Sequence, residues 1–229
     1  MVSRVRDLMI ERPTMDISAA GQRYQQQERF IYLGGCITET ADIWPEMRRR
    51  KSRAHFKLKT YGKQLFDATY GASLRTKIRL LKSEVIEALL YGVETWTMVK
   101  THYEFMRKLH YHFLMRCIGF KKRRRNGHPW RMSYREALRI TRCESLETTI
   151  RRRRLEMAGS IVRMSDERLP KVMLFGELKM ENEQAGPQGR PPKNWRQCLY
   201  DDLNAFEIEI ETWISKAADA AGSNNWVFE

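Results

Sequence analysis

Between about residue 41 and residue 206, outside a charged loop at Lys121 to Trp130 and a Gly- and Pro-bearing linker at Glu181 to Lys193, apolar residues recur every three or four positions, with arginine and lysine between them. Only an α-helix brings such positions onto one face, so the pattern confines this stretch to packed amphipathic helices. The clearest stripe is Leu74, Ile78, Leu81, Val85, Ala88 and Leu89, opposite Arg75, Arg79 and Lys82. Ser73 caps its start, and it stops near Tyr91-Gly92. Before it, Thr40, Asp42 and Pro45 open a helix through Met47, Ala54, Leu58, Tyr61 and Leu65. Arg48, Arg49, Arg50, Lys51 and Arg53 fall on or beside its polar face. A third helix is predicted from His102 to Ile118, with Phe105, Leu109, Phe113 and Cys117 as its spine and Gly119 at its end.

Further along, Ser133-x-x-Glu136 is a capping box for a short helix through Ile140. Glu144 and Ser145 open another, with Leu146, Ile150, Leu155, Ala158 and Ile161 apolar and four arginines, Arg151 to Arg154, in its middle. A last helix spans about Lys193 to Phe206 through Trp195, Leu199 and Leu203. Ahead of all this, Thr14 to Ser18 and Phe30 to Leu33 read as short strands around a turn, closing at Gly34-Gly35. The expected fold is mainly α: a short N-terminal β-hairpin followed by a basic helical bundle. The expected divisions are 1–40 (β), 41–120 (helical bundle), 121–180 (basic helical region), 181–206 (Gly/Pro linker and terminal helix) and 207–229 (an acidic, then polar tail that frays).

Charge divides the chain unevenly. Residues 1–44 carry −1, residues 45–160 carry +19 and the rest −4, giving the formal net charge of +14. A block this basic repels itself, and its natural partner is a polyanion. An acidic protein is the alternative partner, and a membrane is not expected. The four cysteines, Cys36, Cys117, Cys143 and Cys198, are far apart in sequence and form no C-x-x-C, which argues for reduced thiols in an intracellular protein, nuclear or cytoplasmic. No apolar run approaches the roughly 18 residues of a membrane span, and Met1 to Arg6 opens no secretory signal.

Catalytic readings are weak. Tyr200-Asp201-Asp202 resembles part of a polymerase carboxylate motif, but it lies on a predicted helix, where adjacent side chains point about 100° apart. Two-metal chemistry needs carboxylates converging on ions about 4 Å apart, so this pair reads as a solvent face. His110-x-His112 places its rings on different helix faces and has no third ligand nearby. Gly189-Arg190-Pro191 has the core of a minor-groove hook but is flanked by Gln188, and reads mainly as a rigid linker. The helical hairpin from Ser133 to Met164 reads chiefly as structural, because four consecutive arginines surround a helix. No catalytic residue, metal ligand or cofactor is expected in this chain.

Six blocks, taken in order over roughly residues 28 to 205, carry a resemblance. They are F-x-Y-L-G at Phe30 to Gly34, K-I-R-L-L-K-S-E-V-I-E-A-L-L-Y-G-V-E-T-W at Lys77 to Trp96, and L-M-R-C-I-G within Leu109 to Gly119. S-L-E-T-T-I-R-R-R-R-L-E-M-A-G-S-I-V-R-M at Ser145 to Met164, R-L-P-K-V-M-L-F-G-E-L at Arg168 to Leu178 and G-R-P-P-K-N-W at Gly189 to Trp195 complete the set. Together they resemble the end of the palm, the thumb and the post-thumb region of reverse transcriptases from non-LTR, LINE-type retrotransposons.

The resemblance implies that Phe30, Tyr32, Leu33 and Gly34 match the primer-grip-like strand and turn, and that the helices from Pro45 to Gly119 match the thumb. It implies an RNA–DNA hybrid or other duplex as partner, together with the palm and fingers of the same polyprotein. The parent polymerase uses Mg2+ at palm carboxylates that precede the Y-L-G segment. The residues preceding Phe30 hold no such motif, so the chain is expected to be inactive by itself. The expected backbone contacts are Arg48, Arg49, Arg50, Lys51, Lys121, Arg123, Arg124, Arg151 and Arg152.

Overall fold

A computed structural model describes residues 17–62, 71–119, 124–125, 128–129, 132–176, 193–219 and 225–227. The protein is mainly α-helical, with short β structure at its N-terminal end. The chain divides into two units, one ending at Glu46 and the other beginning at Met47.

The first unit holds two antiparallel hairpins in place of the single one expected. Strands β1 (Ile17–Ala19) and β2 (Gln22–Tyr24) pair with Ile17 opposite Tyr24. Strands β3 (Arg29–Tyr32) and β4 (Gly35–Thr38) pair with Tyr32 opposite Gly35. The β run therefore does not close at Gly34-Gly35. It turns at Leu33-Gly34 and continues through Gly35, because both turn residues have positive φ (45° and 82°), the two-residue turn whose twist suits a hairpin. Gly34 takes that conformation freely; Leu33 does so against its side chain. Beyond β4, the Cys36 backbone N–H donates to the Glu46 carboxylate at 2.9 Å.

The second unit is helical. Helix α1 spans Trp44–Thr60, with Met47, Ala54 and Leu58 buried. Helix α2 (Leu74–Leu80) starts at Ser73, whose hydroxyl accepts from the Thr76 N–H at 3.2 Å. It runs into a π-helical segment, Leu81–Ile86, and then α3, Glu87–Leu90. The wider π turn carries one more residue per turn, so both Val85 and Ile86 reach the core. A 3-10 turn (Val93–Thr95) leads to α4, Lys100–Ile118, which ends at Gly119 with φ +69°. Its buried face is His102, Met106, Leu109, His110, Phe113, Leu114 and Cys117; Leu109, Phe113 and Cys117 are buried as expected, while Phe105 is only partly covered and Met106 takes the core position beside it.

Helix α5 (Tyr134–Thr141) and helix α6 (Leu146–Val162) are capped by Ser133 and Ser145, which accept from the N–H groups three residues on. Helix α7 (Leu169–Phe175), α8 (Trp195–Ala205) and α9 (Trp213–Asp219) follow. The pivot is α6, which packs against α4, α7, α8, α9 and both 3-10 turns, at Val93–Thr95 and Asn225–Val227. Leu155, Ala158, Ile161, Leu199, Leu203, Trp213 and Trp226 share one cluster around it.

The expected fraying tail is thus partly an error. Trp213 and Ala217, one helical turn apart, are 3 % and 0 % exposed, and Trp226 and Val227 are buried as well. Large aromatics repay ordering of a chain end that small polar residues alone would not. The linker expected at 181–193 and the Gly189-Arg190-Pro191 segment lie outside the described residues, Lys193 excepted.

The Trp226 indole sits against Gly159: a Cβ there would lie 2.3 Å from its ring nitrogen. We expect Gly159→Ala to destabilise the fold by about 1–3 kcal/mol through overpacking, measured by urea unfolding. Pairing it with Trp226→Ala should erase most of that increment; an unchanged increment would mean the indole is not what the methyl meets.

Candidate nucleic-acid interface

Seven cations and one acid lie on α1. Its buried residues leave Arg48, Lys51, Arg53 and Lys59 exposed, while Arg49 is half-buried. Arg48, Lys51 and Lys59, spaced by 3 and 8 residues, fall within one broad helical face, and Arg53 lies about 120° round the helix from it. The Lys51 ammonium lies 5.9 Å from the Phe105 ring centre. Arg50 is different. It is 2 % exposed, its guanidinium sits 4.4 Å over the Tyr91 ring, and it belongs to the packing rather than to the surface expected of it.

The four arginines of α6 look alike in sequence and fare differently in the fold. Arg151 donates to Glu147 at 2.7 Å and to Asp202 at 2.9 Å. Arg152 pairs with Glu144 at 3.0 Å, with Glu156 further off at 3.8 Å. Arg153 reaches Glu87 at 2.5 Å. Arg154 is fully buried. It donates to the second Asp202 oxygen at 2.5 Å and to the Trp96 carbonyl at 3.1 Å, near the Tyr103 hydroxyl at 3.4 Å. Every member of the quartet therefore has a carboxylate, so Arg151 and Arg152 enter as internal ion-pair partners first.

Asp202 corrects the sequence reading most sharply. The Tyr200-Asp201-Asp202 run is helical, as expected, but Asp202 is 1 % exposed and no solvent-face residue. Burial pushes its carboxyl up, and Arg154 and Arg151 pull against that. Burial likewise opposes the Arg154 charge, but Asp202 and Tyr103 outweigh it and raise its pKa above the ordinary guanidinium value. Two guanidiniums on the two Asp202 oxygens hold a carboxylate with no lone metal-binding edge. The clue lay in spacing. Leu146, Ile150, Arg154, Ala158 and Val162 form one i, i+4 row, and Asp202 stands within Cys198, Leu199 and Leu203.

Other positions separate cleanly. Phe30 and Tyr32 lie exposed on β3, their rings 6.4 Å apart edge to face, and Leu33 and Gly34 form the turn. Lys121 and Arg123 lie outside the described residues. Arg124 is placed in a two-residue strand, Arg124–Arg125, paired with His128–Pro129. His110 is buried, with Nδ1 2.9 Å from the Tyr134 hydroxyl, while His112 is exposed and stacks on His55 at 6.0 Å. Burial lowers the His110 pKa to about 4 and pushes the Cys117 thiol up to about 12. Among the described residues no three His, Cys, Asp or Glu side chains are grouped to hold a metal, and no helix is long and apolar enough to cross a membrane.

Similarity to known proteins is narrow. No family model matches the chain, and no solved structure matches it. The chain is 28% identical over 199 residues to a transposon-derived protein of Caenorhabditis elegans, F52C9.6, covering 84% of this chain and 67% of that protein. That likeness points to a transposable-element origin.

Asp202→Asn should destabilise the protein by about 3–5 kcal/mol in urea unfolding, because it strands a buried guanidinium. Replacing both Arg154 and Asp202 by Leu should recover much of that loss; failure to recover would show that the pair does more than neutralise itself. His110 sets an acid limit. Neutral in both states above pH 6.5, it favours the unfolded chain as pH falls from 6.5 towards 4, since the unfolded chain then binds the extra proton. The expected loss is about 3 kcal/mol by pH 4. His110→Gln should flatten that part of the pH–stability curve, and an unaltered slope would assign it to other groups.

Proposed function

We propose that this chain binds the phosphate backbone of a nucleic-acid duplex, an RNA–DNA hybrid first, as the non-catalytic template–primer-holding part of a non-LTR retrotransposon reverse transcriptase. The observation that carries it is the exposed face Arg48, Lys51 and Lys59 on α1, a helix with seven cations and one acid. Exposed cations on a rigid helix suit phosphates, which position a duplex without reading its sequence. The transposon-derived relative and the six-block resemblance support the same origin. The exposed Phe30, Tyr32 and Leu33 suit a grip on the primer end, and any Mg2+ chemistry belongs to palm carboxylates of the parent polymerase.

The competing reading is a helical adaptor for an acidic protein. Heparin and nucleic acid should displace each other only under the duplex reading.

Fluorescence anisotropy with a labelled hybrid duplex, titrated at several salt concentrations, tests the proposal. Log K should fall linearly with log salt. Arg48→Ala, Lys51→Ala and Lys59→Ala should each flatten the slope by roughly 0.9, the B-DNA value per phosphate neutralised. A salt-independent affinity overturns the proposal.

A further inference from the structure

One groove in the helical unit fits a different part of a nucleic acid. It runs between α1 and the π-helical segment with α3 and encloses about 690 Å3. Phe56 and Tyr91 line it, and they are 70 % and 54 % exposed. The described neighbours of Phe56 one turn away on α1, Ser52, Arg53, Lys59 and Thr60, are all exposed and none is apolar, so Phe56 has no apolar partner among them. Tyr91 carries the buried Arg50 guanidinium over one ring face, which holds the half-exposed ring in place.

The two acids in the walls are neutralised from within. Glu84 is tied to Lys57 at 3.0 Å and Glu87 to Arg153 at 2.5 Å. The wall opposite α1 is the π turn, a distortion of a regular helix that is frequent at functional sites. Exposed flat rings beside an excess of cations call for a ligand with flat apolar faces and negative charge.

We infer that this groove stacks unpaired bases of a strand flanking the duplex, with Phe56 and Tyr91 as the platforms and Arg53 at its rim meeting a phosphate. The charge excess of α1 favours a nucleic-acid strand over an apolar peptide as the occupant. Base–aromatic stacking tolerates any sequence, so the groove would hold single-stranded template without selecting it. The inference rests on the duplex-binding reading above and adds a second contact to it.

The test compares the full chain on a blunt RNA–DNA hybrid and on the same hybrid with a short unpaired extension containing 2-aminopurine. The extended form should bind more tightly, and its fluorescence should change on binding as the base stacks. Phe56→Leu and Tyr91→Leu should each cut the affinity for the extended form by roughly 5- to 100-fold, the range set by loss of one stacked base. Both should leave blunt-duplex affinity and its salt slope unaltered, and Phe56→Trp should preserve the preference. The exposed Phe56 side chain makes Phe56→Leu safe for folding, with urea unfolding as the check.

Blunt and extended hybrids bound equally, with an intact salt slope, would overturn the base-stacking groove and leave duplex binding standing. Binding of neither would overturn both. Phe56-dependent capture of polyglutamate in place of the extension would also overturn the inference, by assigning the groove to an acidic protein.

Discussion

The fold turns on a carboxylate that two arginines share. Asp202 on α8 meets Arg154 and Arg151 of α6, and α6 packs against four other helices and both 3-10 turns. A buried charge with no partner costs several kcal/mol, so a placement of α6 and α8 that parted these ions would be penalised. The same guanidinium reaches the Trp96 carbonyl, which ties the 3-10 turn region to α6 in one network. Its Nε is a buried donor without a described partner, so the network is satisfied in all but one position.

This arrangement explains why a strongly basic chain keeps a compact helical unit. The four arginines on α6 would repel one another if left bare. Glu147, Asp202, Glu144 and Glu87 divide them, and four like charges become a set of links to three other parts of the chain. Helix α1 is arranged differently: its inward face holds Met47, Arg50, Ala54 and Leu58, and its outward face bears Arg48, Lys51, Lys59 and Phe56.

Much of this was legible from residue order. The start of α2 at Ser73, of α5 at Ser133 and of α6 at Ser145 followed from capping chemistry, which acts over three residues. The inward positions Ile78, Leu81, Val85 and Leu89 followed from helical period. Local patterns failed where a distant group decided the outcome. Asp202 read as a surface residue because its partner lies 48 positions earlier, and Arg153 finds its acid 66 positions away. The π turn and the buried Trp213 and Trp226 escaped for a similar reason: their apolar residues pack on surfaces distant in sequence.

By itself, then, the sequence determined the helical class, the places where helices begin, the faces that turn inward and the sign of the charge. Those properties depend on spacing within a few residues, where backbone geometry and solvation act directly. Only the tertiary structure decided which cations are exposed and which are buried as internal counter-ions. Coulomb energy depends on distance in space, and runs such as Arg48 to Lys51 and Arg151 to Arg154 are indistinguishable until the chain has folded around them.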